Sequence, residues 1–116
     1  MLRFGIVSQI NALNAQARVS FQDDESTSYW LPVLQTKTLK DKFYVMPDIG
    51  ELVACLMDEN SEDGVILGTI YSTEDVPVTQ SEKEISMNLE DGSYINANKE
   101  SQTLTVAFST MKLIGN

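Results

Sequence analysis

A strict alternation of apolar and polar side chains constrains the fold of this 116-residue chain more than any other feature. From Leu13 to Phe21 every second residue is apolar and its neighbours are polar, which is typical of a strand that buries one face. Similar segments separated by polar turns predict five strands, at 4–10, 13–21, 30–39, 51–57 and 65–71. The one helix candidate, at 38–44, is short and poorly capped. The chain is therefore predicted to be all-β.

Five strands with short connections fit a small barrel of the five-stranded OB type. Pro32 in the third strand indicates an edge position or a bulge, and Gly68 in the fifth indicates a bend or a bulge. The stretch Pro47-Asp48-Ile49-Gly50 predicts a turn before the fourth strand. Gly50 has either a special role, through a positive φ or a close backbone approach, or an ordinary place in that turn.

The composition changes after the predicted barrel. Residues 73–83 hold acids and a proline with little apolar content, which indicates a linker or extended arm. Four short alternating segments follow, at 85–89, 94–97, 104–108 and 111–114, with a turn at Asp91-Gly92. A small isolated sheet is marginal in water, so its apolar face needs a partner. Copies of the same segment, in a trimeric β-prism, or the chain's own barrel could supply that partner.

Composition argues against several functions. Seventeen acidic and eight basic residues give a net charge of −9, which disfavours general binding to phosphate backbones. The single cysteine, Cys55, lies in an apolar run and is expected to be a buried thiol. A nucleophilic role would need a nearby base, and the sequence has no histidine to supply one. No run is long or apolar enough to span a bilayer, and the N-terminus lacks a secretory signal, so cytoplasmic synthesis is expected.

Several motifs occur in a fixed order along the chain: Gly5-Ile6-Val7, Leu31-Pro32-Val33, Pro47-Asp48-Ile49-Gly50-Glu51-Leu52-Val53, Gly64-Val65-Ile66-Leu67-Gly68-Thr69-Ile70-Tyr71-Ser72 and Asp91-Gly92-Ser93-Tyr94-Ile95. In this order and spacing they resemble the baseplate assembly protein V family, the membrane-piercing spikes of contractile phage tails. Spikes of type VI secretion systems have a similar N-terminal module, so the motifs resemble both kinds of spike. The short chain favours the phage form, because the secretion spikes carry a large additional N-terminal region.

The resemblance implies an OB barrel at 1–72, a linker at 73–83 and a short β-helical spike shaft at 84–116, in an intertwined homotrimer. It implies a structural central spike that caps the tail tube and hub and pierces the host envelope when the sheath contracts. The expected partners are two further copies, hub and baseplate proteins, and transiently the host outer envelope, with no nucleic acid. The expected location is the virion tail baseplate, after assembly in the bacterial host cytoplasm.

One feature departs from that family. Many of its spikes end in an apex where paired histidines from three chains hold iron, and this sequence has no histidine. No cofactor is therefore expected. The shaft is also expected to be short and blunt, and a separate small tip-capping protein is hypothesised to cover it. A truncated or naturally stubby spike is the alternative.

Three other functions are weaker. The acidic stretch 58–64 is similar to a calcium loop, but its glycine comes one place late and Thr69 stands where the loop needs a glutamate. A single-stranded nucleic-acid-binding OB protein would stack bases on aromatics, several of which are predicted to face the core. An enzyme would need paired groups that the sequence does not bring together. No catalytic, cofactor-binding or metal-binding residue is predicted.

Overall fold

The computed structural model describes residues 1–115, which contain strands and turns but no α-helix. It divides into two compact units, Met1–Glu74 and the residues from Asp75 onward. This division falls within the predicted linker, and the domain bounds given above stay a prediction. The first unit contains β1 Leu2–Asn11, β2 Gln16–Phe21, β3 Ser26–Thr27, β4 Leu31–Pro32, β5 Leu52–Met57 and β6 Gly64–Thr69, and the second contains β7 Glu84–Asn88, β8 Tyr94–Asn98 and β9 Thr103–Ala107.

The first unit is a closed barrel in which β1 pairs with a neighbouring strand on each side. Strand β1 pairs antiparallel with β2 on one side and with β5 on the other, and β5 pairs with β6. On its far side β2 pairs with both β3 and β4. A parallel bridge between Val33 and Ile66 then joins the β4 segment to β6. The order β1-β2-β4-β6-β5 is that of a five-stranded OB barrel whose third strand is broken into two pieces.

The barrel core is made of inward-facing residues that alternate along the strands. Ala17, Val19 and Phe21 of β2 are almost completely buried, which confirms the predicted alternation in this strand. The full core consists of Val7, Ala17, Val19, Phe21, Leu31, Val53, Cys55, Met57 and Ile66. Leu13 does not belong to it, because it lies in the β1–β2 turn and is 93% exposed. The prediction that β2 begins at Leu13 was therefore wrong.

The predicted third strand, 30–39, was also wrong in length. Regular pairing there stops after Leu31–Pro32 and the bridge at Val33. The chain then forms a long loop whose ends are joined by Gln35, which accepts a bond from the Val45 amide at 3.0 Å and donates one to the Val45 carbonyl at 3.2 Å. These bonds hold the backbone away from the sheet. The helix candidate at 38–44 lies in this loop and is not helical.

Two glycines meet the expectations drawn from sequence. Gly50 has a φ of +98°, which L-residues with a side chain rarely adopt, and its amide donates to the Val7 carbonyl at 2.8 Å. Gly68 lies where the β5–β6 register shifts, next to Ala54 and Cys55, which identifies the predicted irregularity as a bulge. Gly50 thus anchors the end of the long loop to β1, and Gly68 helps β6 curve around the barrel.

The second unit is a three-stranded antiparallel sheet in the order β7-β8-β9. Four strands were predicted, but residues 111–114 form none. The turn between β7 and β8 is the predicted Asp91-Gly92 turn, in which Gly92 has a φ of +93°. The Asp91 carboxylate accepts a bond from the Ser93 amide at 2.9 Å, and hydrogen bonds from Ser93 lower the pKa of Asp91.

Candidate functional site

The thiol of Cys55 is the one nucleophile that the sequence offered. It is completely buried in the barrel, and desolvation raises its pKa from 9.0 to about 11. A thiol that stays protonated and inaccessible cannot attack a substrate, so Cys55 acts as a small core side chain. Within residues 1–115 no three histidine, cysteine, aspartate or glutamate side chains come together as metal ligands. Nor does that range include a helix with the length and hydropathy to cross a bilayer.

The acidic stretch 58–64 forms the β5–β6 hairpin loop. The Asp58 carboxylate accepts a bond from the Glu62 amide at 3.0 Å, and the Asp58 amide donates to the Asp63 carbonyl at 2.9 Å. These bonds occupy Asp58 in closing the turn, as in an ordinary hairpin loop. The geometry favours a solvated hairpin over a calcium loop.

The aromatic side chains are more exposed than predicted. Several were expected to face the core, but in the described part of the chain only Phe21 among them is buried. Tyr29, Phe43 and Tyr44 are between 58% and 68% exposed. Phe43 and Tyr44 belong to the long loop, outside the strands, and alternation puts a residue inward only where a strand exists.

Arg3 is a buried charge that the sequence reasoning missed. Its guanidinium donates to Asp23 at 2.6 Å, lies 3.1 Å from Asp24, and stacks over the Phe21 ring at 4.0 Å from the centroid. Burial alone would lower the pKa of Arg3, but the two hydrogen-bonded carboxylates outweigh burial and raise it. The strand period could have revealed this position, since Arg3 shares the inward face of β1 with Gly5 and Val7. Arg3 closes one end of the barrel and ties the 22–25 loop to it.

The most unusual surface lies on the second unit. Residues paired across antiparallel strands point to the same face, so the register fixes which side chains lie together. One face carries a row of Ile85, Ala97 and Leu104 and a second row of Met87, Ile95 and Val106. We call these six residues the apolar sheet face. Its members on the two outer strands are between 40% and 68% exposed.

The opposite face of the same sheet is polar and has partners within its own unit. Glu84 accepts hydrogen bonds from the Thr79 hydroxyl and, at 3.3 Å, from the Asn96 amide. Facing pairs there include Ser86 with Asn96 and Asn98 with Thr103. The two faces therefore differ in chemistry, and Tyr94 and Ala107 are the apolar members of the mainly polar face. The polar face is hydrogen-bonded and partly covered by the segment at Thr79, whereas the apolar sheet face lacks cover over much of its area.

A contiguous exposed apolar face is typical of an interaction surface, because monomeric soluble proteins rarely leave a large patch of aliphatic side chains in water. The sheet also has two edges, β7 and β9, each with one unpaired side. Packing of equivalent sheets against one another would cover the apolar sheet face and give the free edges neighbours. The second unit thus offers a surface suited to assembly.

Comparison with known proteins agrees with the barrel topology. Residues 3–71 match the family model described as the type VI secretion system/phage-baseplate injector OB domain. No curated protein matches the chain. At the family level this domain has a structural, spike-like role. Because the match spans more than half of the 116 residues and coincides with the closed barrel, the chain belongs to the family of phage-baseplate and type VI secretion injector OB domains.

Proposed function

We propose that this protein is the central spike of a contractile phage tail baseplate, a homotrimer with no catalytic activity. The observation that carries the proposal is the apolar sheet face, which lies on the unit that follows the family's OB barrel. Three copies of this face around a three-fold axis would bury one another's aliphatic side chains. Their sheet edges, β7 and β9, would gain neighbours from the adjacent copies.

The energetic argument favours assembly. Burial of apolar surface stabilises by about 25 cal/mol per Å². The three strands of the second unit have five residues each, which is too little for a stable isolated sheet. A trimer would give the same residues a shared core and a dense set of hydrogen bonds. Such stiffness suits a part that is driven through an envelope when the sheath contracts.

The OB barrel would form the collar that caps the tail tube and hub, which assigns hub and baseplate proteins as partners. The segment after β9 has highly exposed side chains, with Leu113 at 88% and Ile114 at 81%. This supports a separate tip-capping protein that would cover them. The host outer envelope would be a transient partner, the virion tail baseplate the location, and the host cytoplasm the place of assembly. No cofactor is required for this role.

The spike of a related contractile injection or type VI-like secretion system is the second candidate, because the matching family includes both kinds of machine. The same trimer is expected in either case. Tail particles purified from a phage lysate would contain the protein on the tail axis if it is a phage spike.

The solution mass tests the proposal. Multi-angle light scattering should give about 39 kDa, three chains of 12.9 kDa each, over a wide range of concentrations. A folded monomer whose second unit keeps its strand content by circular dichroism would refute it, because the apolar sheet face would then need no partner.

A further inference from the structure

The long loop at 34–49 differs in charge from the rest of the chain. It holds Lys37, Lys40 and Lys42 against Asp41 and Asp48, a net charge of +1, whereas the remaining 100 residues hold five bases and fifteen acids, a net charge of −10. The loop is also apolar at its surface, with large side chains that are 58% to 75% exposed: Leu34, Leu39, Phe43, Tyr44, Val45 and Ile49. We call residues 34–49 the basic loop.

The basic loop has a defined position at one end of the barrel. The Tyr44 hydroxyl donates to the Ala12 carbonyl at 3.0 Å, in the turn where β1 leads into β2. The Gly50 amide bonds to Val7, and the Leu34 amide donates to the Ile66 carbonyl at 3.0 Å. The loop is therefore attached at both ends and at Tyr44, and its three lysines are exposed along with its large apolar side chains.

The other end of the barrel is acidic. Strand β1 begins there, and the antiparallel strands β2 and β5 end there, so the loops 22–25 and 58–63 share this end. They carry seven exposed acids: Asp23, Asp24, Glu25, Asp58, Glu59, Glu62 and Asp63. Only Asp23 and Asp24 of these pair with Arg3 in the described residues, so the end keeps a strong negative charge. We call these two loops the acidic rim.

An apolar patch lies beside the acidic rim. Leu2 and Phe4 of β1 and Leu56 of β5 face outward and are 49% to 55% exposed, and Leu2 pairs directly with Leu56. Their neighbours Gly5 and Cys55 face inward, so these strands carry apolar residues on both faces, with Arg3 as the charged member of the inward face of β1. Strands of this kind are usually covered on both sides, whereas a strand with one solvated face alternates. We therefore expect another surface to cover this outward patch.

We propose that the basic loop of one protomer packs on the apolar patch and acidic rim of the next protomer. The two surfaces are complementary in both charge and hydropathy, and one chain carries both, so a second copy is the occupant. Such a contact is heterologous, and in the proposed trimer three of them would close into a ring about the three-fold axis. It rests on the proposed trimer and adds a collar interface that is distinct from the apolar sheet face.

Carbodiimide cross-linking, which joins a lysine to a carboxylate in direct contact, tests this proposal on the full chain. Protein with natural isotopes is mixed with ¹⁵N-labelled protein in denaturant, refolded, cross-linked and digested. Mass spectrometry should find Lys40 or Lys42 joined to residues of the acidic rim in mixed-isotope pairs, which arise only between protomers. Sedimentation of the same sample gives the oligomeric state. A trimer without such pairs overturns the collar contact alone, and a monomer overturns the trimer as well.

Charge reversal gives an independent measurement that needs no refolding. Lys40→Glu with Lys42→Glu should raise the concentration at which the trimer dissociates about ten- to hundredfold, since each exposed pair contributes modestly and is repeated three times. The added changes Glu25→Lys and Glu59→Lys should restore much of the loss. The matched control is Lys99→Glu with Lys112→Glu, which changes net charge equally outside the barrel. Equal effects of the two lysine pairs, or binding of single-stranded DNA that Lys40→Glu with Lys42→Glu abolishes, would overturn the proposal.

Discussion

The replacement of Leu104 by aspartate tests whether the second unit forms a shaft interface or is an ordinary solvated sheet. Leu104 lies on the apolar sheet face opposite Ala97, and its neighbour Thr103 lies on the polar face opposite Asn98. Both side chains are exposed in the single chain. Leu104→Asp and Thr103→Asp therefore add the same charge one residue apart, on opposite faces of one strand.

The magnitude follows from the exposure of Leu104. Complete burial of a leucine side chain stabilises by about 1.5–3 kcal/mol. Leu104 is 68% exposed in the single chain. The trimer thus gains about 1–2 kcal/mol per protomer, or about 3–6 kcal/mol in total, from this position. The loss of this term weakens trimer formation about 10²- to 10⁴-fold, and the desolvation of three carboxylates adds to the loss.

Sedimentation equilibrium over a concentration series measures this change. Leu104→Asp should sediment as monomer at concentrations where the unmodified protein and Thr103→Asp are trimers. Circular dichroism and the denaturation midpoint of the barrel should change little, because the two positions lie outside the first unit. Similar association constants for Leu104→Asp and Thr103→Asp would refute the argument, since the two faces would then be equivalent in solution.

Three further predictions concern the single chain. Gly5→Ala should lower barrel stability by about 1–3 kcal/mol in urea denaturation, because the added Cβ would lie 2.5 Å from the Val19 side chain. In the control Gly68→Ala the added Cβ meets no atom within 4 Å, so stability should change far less. Cys55 should resist thiol reagents at pH 8 in the folded protein and react on unfolding. Because burial raises its pKa from 9.0 to about 11, the thiol contributes stability that is complete below pH 9.0 and declines as the pH rises towards about 11. An unfolding midpoint that stays constant over this pH window contradicts the assignment. Gly92→Ala should destabilise the second unit by about 1 kcal/mol, since its φ of +93° strains a residue with a Cβ, and an unchanged thermal melt would show that the turn relaxes.

A gel-shift assay with single-stranded DNA addresses the remaining alternative function, and no shift is expected at physiological salt. The exposed aromatics Phe43 and Tyr44 lie near Lys40 and Lys42, but the rest of the chain carries a net charge of −10 that repels phosphates. A salt-sensitive shift would favour the nucleic-acid-binding interpretation over the spike.

The barrel was predictable because the period of a strand is visible in the sequence. Alternation in β2 indicated its inward face, the apolar runs of β5 and β6 indicated strands, and the glycines at positions 50 and 68 indicated a turn and an irregularity. The third strand was not predictable in length. Its apolar residues 34 and 39 made the segment look like a continuous strand, and only the hydrogen bonds between Gln35 and Val45 show that the backbone leaves the sheet.

The sequence alone determined an all-β chain, a five-strand barrel, a buried cysteine and an amphipathic tail, and it predicted that the apolar face of the tail has a partner. The tertiary structure decided which residues share a face and which ends of the barrel they occupy. Arg3 became a buried ion-paired charge, and the basic loop came to contact the β1–β2 turn, at the opposite end of the barrel from the acidic rim. The physical reason is that periodicity reports only local orientation. The positions of charges relative to one another depend on strand pairing between segments distant in the chain.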